Sequence, residues 1–329
     1  MTVAWGEDIT ILCVSDAIYL PGVYGLFNSA ILNGFKGRFT IVQVGHFEEN
    51  TVFKHDQLDV RPFPTGMESY HLNVARFSLF PTLSPGNYLF LDADIIVERP
   101  LKFLTEMLET SVLVSKETEP KYDTFDIMFQ RQAKKVGYDP FFMVKNIGYI
   151  NGGLLGFSIP QHSEFLQQLA EKCQHYLSGI LTYCTNPDWY FIDQDMLNVV
   201  IRGSGVPVSV ISPRLLEIGN YPSKDFYRRP FPASKQTNLS PKDQLKYIIH
   251  GAALRRPWMN PYPATWIGKV KKQMYDWGFQ AWKTSPTPYE RAWAYYACRE
   301  DLPVPISFWA SKHGFKAYRN SIWKKYHGI

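Results

Sequence analysis

Asn87-Tyr88-Leu89-Phe90-Leu91-Asp92-Ala93-Asp94-Ile95-Ile96 is the stretch around which the rest of the chain can be ordered. Tyr88 to Leu91 is a short apolar run of strand type, bounded by Pro85-Gly86-Asn87. Two carboxylates follow, one residue apart. On an extended backbone the side chains at i and i+2 share a face, so Asp92 and Asp94 converge at the carboxyl end of a buried strand. Ligands of open α/β sheets bind at that end. Two anions held together repel and lose hydration, so they need a cation, a proton or solvent. Oxygen ligation suits magnesium or manganese. The plainer alternative is a strand end that opens a turn.

The chain has 329 residues, 45% of them hydrophobic and 16% aromatic, which suits one large or two modest domains with a real core. Disorder over most of its length is excluded. No apolar run resembles a signal peptide or reaches the length of a membrane span. Cys13, Cys173, Cys184 and Cys298 show no metal or redox spacing, and are expected as reduced thiols of a cytoplasmic protein. The net charge of +5 is uneven: residues 262–329 hold eleven Lys/Arg against four Asp/Glu, and six of the nine Trp. This shift in composition marks a boundary between a main domain, 1–261, and a basic, aromatic-rich helical extension, 262–329.

Strand and helix patterns alternate. Residues 9–15 read as a first strand ending at Asp16, and Pro21-Gly22 opens a helix with Val23, Leu26, Phe27, Ala30 and Ile31 on one face. Residues 39–44 form a second strand, and residues 58–63 a third near an edge because of Pro62. Helices are expected over 67–83 and 101–108, with a strand over 111–115. Residues 116–146 are polar and aromatic and suggest a loop or short helices at the surface. The paired glycines of Tyr149-Ile150-Asn151-Gly152-Gly153 allow the backbone to approach something closely. Amphipathic helices follow over 161–177 and 192–201, then strands over 206–211 and 247–249. The alternation predicts an α/β sheet, mostly parallel.

Six segments taken in order resemble the family 8 retaining glycosyltransferases, the group of glycogenins and lipooligosaccharide galactosyltransferases. They are Val14-Ser15-Asp16 with Tyr19, Ala75-Arg76-Phe77, Leu89 to Asp94, Tyr149 to Gly153, Asp193-Gln194-Asp195-Met196-Leu197-Asn198, and Ile249-His250-Gly251 through Pro257-Trp258. The resemblance implies a GT-A fold, a Rossmann-like mixed sheet flanked by helices, as the catalytic domain. It implies transfer of a hexose from a UDP-sugar to a hydroxyl of a glycan, glycolipid or glycoprotein, with retention of configuration. Asp92, Asp94 and His250 would hold a divalent metal, manganese with magnesium as the alternative, and Ala93 would join Asp92 and Asp94 in binding the donor nucleotide. Asp16 and Tyr19 would hold the nucleoside, and Arg76 would lie near the sugar and the diphosphate. Asn151, Gly152 and Gly153 would line the donor sugar. Asp193 would accept hydrogen bonds from sugar hydroxyls, and Gln194 would set its amide on the far face of the anomeric carbon. Arg256 would contact the diphosphate. The family often has Gly-Pro where this chain has Ala253-Leu254.

Each residue also has a plainer role. Asp16 and Asp193 suit helix caps, His250 a core histidine, Arg76 a surface helix, and Gly152-Gly153 a bulge. Tyr138, Phe141, Phe142, Trp189 and Tyr190 are candidates for acceptor stacking. The Lys/Arg and Trp/Tyr of the tail suit peripheral membrane contact, against a helical bundle packed on the main domain. No nucleic-acid module is present. The rival functions are a non-catalytic nucleotide-sugar or glycan-binding protein of the same fold and an Asp-x-Asp phosphohydrolase. The phosphohydrolase signature places Thr where this chain has Ile96.

Overall fold

The computed structural model describes residues 3–16, 19–45, 54–63, 72–116, 126–140, 143, 147–177, 192–211, 215–218, 247–251, 288–297 and 302–304. The first half runs β1 (Ile9–Ser15), α1 (Leu20–Leu32), β2 (Arg38–Gln43), β3 (Leu58–Pro62), α2 (Leu72–Leu79), β4 (Gly86–Leu91), β5 (Ile95–Val97), α3 (Lys102–Leu108) and β6 (Val112–Lys116). The second half runs α4 (Asp126–Lys135), β7 (Ile150–Ile159), α5 (Ser163–Leu177), α6 (Ile192–Ser204), β8 (Val208–Ile211), β9 (Leu216–Ile218), β10 (Ile248–His250) and α7 (Pro288–Ala297).

Alternation of side chains along the strands sets the layers. In β1, Ile9, Ile11 and Cys13 join one apolar cluster, while Leu12 and Val14 join the other. In β4, Leu89 and Leu91 face the first cluster, and Tyr88 and Phe90 the second. The first cluster takes in α1, α3 and α7, and the second takes in α2, α4, α5 and α6. A mixed sheet flanked by helices is therefore the architecture. The main sheet has seven strands in the order β3-β2-β1-β4-β7-β6-β8. Only β7 runs against its neighbours, β4 and β6. Pro62 does lie in an edge strand, where a missing N–H costs no ladder bond.

Several elements differ from their sequence expectation. The helix expected over 67–83 is described as α2, after which Phe80–Thr82 tightens into a single 3-10 turn around Pro81. The segment 116–146 contains α4, whose Phe129, Gln132 and Ala133 are buried, so it is not all surface. Ile95 and Ile96 do not prolong β4: β5 belongs to a second, three-stranded sheet, β5-β10-β9, and β9 had no separate sequence signal. Of the helical extension expected over 262–329, residues 262–287 lie outside the described residues, and α7 packs on α1. Residues 20–30 of α1 are all buried, because α7 covers the face turned away from the sheet. Among the described residues no helix is long and apolar enough to cross a membrane. Cys13 and Cys173 are buried free thiols.

Glu98, just after β5, is buried. Its N–H donates to the Tyr247 carbonyl at 2.8 Å, but its side-chain Oε1 has no hydrogen-bond partner among the described residues. Burial pushes this carboxyl up to about 8, and the nearby Arg99 only partly opposes the rise. The folded chain thus binds this proton more tightly than the unfolded chain. The stabilising effect is complete below the ordinary carboxyl range and is lost as pH climbs towards 8. We expect Glu98→Gln to match the parent near pH 5 and to exceed its stability by about 3 kcal/mol at pH 8, measured by urea unfolding at both values.

Candidate active site

β1 and β4 are neighbours at the centre of the main sheet, and the strand order turns there: β2 and β3 continue to one side, β7 and β6 to the other. A crevice opens beyond the carboxyl ends at such a switch point. Asp16 follows β1 and Asp92 follows β4, so both sit at its rim. Asp92-Ala93-Asp94 is a turn and not an extended strand end. The Ile95 N–H donates to the Asp92 carbonyl at 3.1 Å, and the Asp92 N–H to the Gly153 carbonyl at 2.9 Å. The carboxylates converge because the chain folds back here, which corrects the expectation from i, i+2 spacing. Ala93 is buried in the apolar cluster beneath the turn.

The turn also brings in His250. The Gly251 N–H donates to the Asp94 carbonyl at 2.7 Å, and β10 pairs with β5 so that His250 lies opposite Ile95. His250 Nε2 is 3.3 Å from Asp94 Oδ1 and 3.9 Å from Asp92 Oδ2. One potential ligand atom from each of the three residues lies within 4.8 Å of the others, so the group could hold a metal ion. Two carboxylates and an imidazole suit a divalent cation of the manganese or magnesium kind. The Asp92 side chain is 31% exposed against 5% for Asp94, so Asp92 faces the crevice and Asp94 the protein.

Arg76 is not on the surface. Its guanidinium donates to Asp92 Oδ1 at 2.5 Å and pairs with Asp193, on the rings of Phe77 and Phe90 at 4.8 and 5.1 Å. Burial pushes Asp193 up to about 6, with Arg76 pulling down and the Asp92 carboxylate pushing up. Asp92 is raised by burial and by Asp94, and held down by Arg76 and His250. Arg76 therefore lets three carboxylates from β4, its following turn and α6 share one small space.

The paired glycines of β7 acquire a definite purpose. A β-carbon on Gly153 would stand 2.8 Å from His250 Nε2 and 3.0 Å from Nδ1. One on Gly152 would stand 2.9 Å from Arg76 Nη2 and 3.4 Å from the Gln194 β-carbon. These glycines make room for the imidazole, the guanidinium and the start of α6. Asn151 is buried, and its Oδ1 accepts the Gly153 N–H at 2.9 Å, which holds the strand in this close course.

Asp193, Gln194, Asp195 and Asn198 lie on α6 and fasten it to β7. Gln194 Oε1 accepts the Gly152 N–H at 2.8 Å, and its amide hydrogen-bonds the Tyr149 hydroxyl. Tyr149 donates to Asp195 Oδ1 at 2.6 Å, and burial together with that carboxylate raises the phenol strongly. Asn198 bonds both the N–H and the carbonyl of Ile150, each at 2.8 Å. Tyr149, Asp195 and Asn198 had no separate role in the sequence reading, although all three stand inside the segments it singled out. Their signal was present as polar residues at helical spacing opposite a glycine strand.

Asp16 Oδ1 accepts the Tyr19 N–H at 3.0 Å just before α1, at the crevice rim. Tyr138 is taken up in packing: its hydroxyl donates to Gln168 at 2.9 Å and its ring lies on Gly203. Arg256, Phe141, Phe142, Trp189 and Tyr190 lie outside the described residues.

No protein-family model matches the chain, and no curated protein does. Similar solved structures include the galactosyltransferase LgtC in complex with donor and acceptor sugar analogs, at 16% identity over 81% of this chain and 95% of that one, with a TM-score of 0.46. The bifunctional glycosyltransferase WbbM is similar at 16% identity over 90% of this chain and 53% of that one, TM-score 0.47. The glycosyltransferase GlyE of Streptococcus pneumoniae is similar at 13% identity over 87% and 66%, TM-score 0.49. Likeness at this distance assigns no activity to this chain.

The glycine geometry has a direct consequence. Gly153→Ala must displace the His250 imidazole, and we expect a loss of divalent-cation affinity of about 100-fold, read by Mn2+ titration with electron paramagnetic resonance. The far-ultraviolet circular dichroism spectrum should stay close to that of the parent.

Proposed function

We propose that the chain is a metal-dependent glycosyltransferase of the GT-A kind, which moves a hexose from a UDP-sugar to a hydroxyl acceptor with retention of configuration. The observation that carries this reading is the meeting of Asp92, Asp94 and His250 with Arg76, Asp193 and Gln194 at the switch point of the sheet. A donor site for a nucleoside diphosphate sugar needs three things in one crevice: a cation for the leaving diphosphate, acceptors for sugar hydroxyls, and a rim for the base. The residues present can supply all three.

Asp92, Asp94 and His250 would hold the cation, manganese or magnesium. Bound there, such a cation would supply positive charge for the diphosphate leaving group. Asp193 offers carboxylate oxygens to sugar hydroxyls, and Arg76 holds it in place while supplying positive charge beside the diphosphate. The Gly152 N–H takes one lone pair of the Gln194 carbonyl oxygen and fixes the amide beside β7, with the second lone pair proposed to face the sugar. Its proposed part is therefore to stabilise developing positive charge without a lasting covalent bond. Asp16 and Tyr19 would receive the uracil at the rim, and Arg256 the diphosphate. Retention rests on the resemblance of the six segments to family 8.

The test is release of UDP from a panel of UDP-sugars (Glc, Gal, GlcNAc, GalNAc and Xyl) in the presence of manganese. We expect slow release from one sugar, abolished by chelation and reduced at least 100-fold in Asp94→Asn. Proton NMR of the product anomer reads retention. Nucleotide binding without turnover of any sugar would instead identify a non-catalytic binding protein.

A further inference from the structure

We propose that α7 is a working part of the metal site, with Tyr289 as the positioning residue for His250. The inference rests on the metal reading of Asp92, Asp94 and His250.

His250 ends a strand of three residues, which is too short to hold a ligand by ladder bonds alone. Its position depends on the residue after it. On one side the Gly251 N–H is bonded to the carbonyl of Asp94, itself a proposed ligand. On the other side lies the buried ring of Tyr289: a β-carbon on Gly251 would stand 2.6 Å from its Cγ and Cδ1 and 2.8 Å from Cδ2. The Gly251 backbone is therefore confined between the Asp-x-Asp turn and a flat aromatic face. The imidazole one residue earlier is confined by Gly153. Movement of the imidazole towards β7 would meet Gly153, and movement of the Gly251 backbone that carries it would meet Tyr289.

Tyr289 in turn is held by contacts across most of the chain. Trp293, one turn on, is buried and donates from Nε1 to the Pro21 carbonyl at 3.1 Å. Its ring lies on Gly25, where a β-carbon would stand 2.9 Å from Cδ1. Buried Asn28 of α1 donates to the Tyr296 and Val304 carbonyls at 2.9 and 2.8 Å and accepts the Val304 N–H at 2.9 Å. Asn33 joins the Tyr296 hydroxyl to the Val97 carbonyl at the end of β5. Slippage of α7 would leave the bonds to Trp293 and Tyr296 unmade and strand their buried polar groups. α7 is thus registered against α1 and β5, and that register places the Tyr289 ring behind the metal ligand. Support of this indirect kind commonly governs metal affinity by about 10–100-fold.

The experiment is Mn2+ titration by electron paramagnetic resonance on the full chain, with thermal unfolding of each variant. The variants are Tyr289→Ala, Tyr289→Leu and Tyr289→Phe, with Val136→Ala as a control in the cluster across the sheet. We expect Tyr289→Ala and Tyr289→Leu to weaken Mn2+ binding about tenfold or more. Tyr289→Phe, which keeps the ring, should bind within about twofold of the parent, as should Val136→Ala despite its lower melting temperature. If Tyr289→Ala does not fold, the Leu and Phe pair gives the same comparison. Parent-like binding in the Leu variant would overturn the role of Tyr289 while leaving the metal site intact. Absence of Mn2+ binding by the parent itself would overturn the metal reading and this inference with it.

Discussion

Three carboxylates, Asp92, Asp94 and Asp193, share one small region at the end of the sheet, and the buried guanidinium of Arg76 makes that arrangement tenable. Unit charges about 4 Å apart repel by roughly 4 kcal/mol at the effective dielectric near a protein surface. An unpaired buried carboxylate would instead take up a proton or unfold its surroundings. Arg76 comes from α2, Asp92 from the end of β4 and Asp193 from the start of α6, so the same contacts that neutralise the charge also lock three elements together. Breaking such a pair leaves a buried charge uncompensated and costs about 3–5 kcal/mol. The site and the stability of this half of the fold are therefore one electrostatic problem.

The second constraint is steric. β7 can pass under the site only because Gly152 and Gly153 have no side chains, which gives Arg76 and His250 room to reach their carboxylates. β7 is also the one strand that runs against its neighbours in the main sheet. It enters from the site end, so its first residues, not its last, line the crevice. Gln194 and Asn198 then bind its backbone from α6, and Tyr149 leads into Asp195. Function and packing use the same atoms here. A glycine that serves a ligand and a glycine that serves a core are the same residue at this position.

Position along the chain and position in space part company at the carboxyl-terminal segment. Composition set residues 262–329 apart as a basic, aromatic-rich extension. α7 lies within that stretch, yet it buries Trp293 and Tyr289 against α1 and Gly251 in the same cluster as β1 and β4. A charge balance averages over a segment. It does not register that one helix within the segment has an apolar face matched to a helix some 270 residues earlier.

The sequence by itself determined what depends on neighbours a few residues apart. Alternating and helical periodicities placed most strands and helices, Pro62 marked an edge strand, and the spacing of Asp92 and Asp94 implied a cation, with His250 added only by the resemblance to family 8. Only the tertiary structure decided how those residues meet. The Asp-x-Asp turn in place of an extended strand, the separate β5-β10-β9 sheet, the imidazole against Gly153 and the ring of Tyr289 against Gly251 all join parts far apart in the chain. The reason is physical. Local pattern records which side of an element is apolar, because the hydrophobic effect has no direction and asks only for burial. It does not record which partner fills the space above a glycine, since that residue contributes no side chain from which the partner could be inferred.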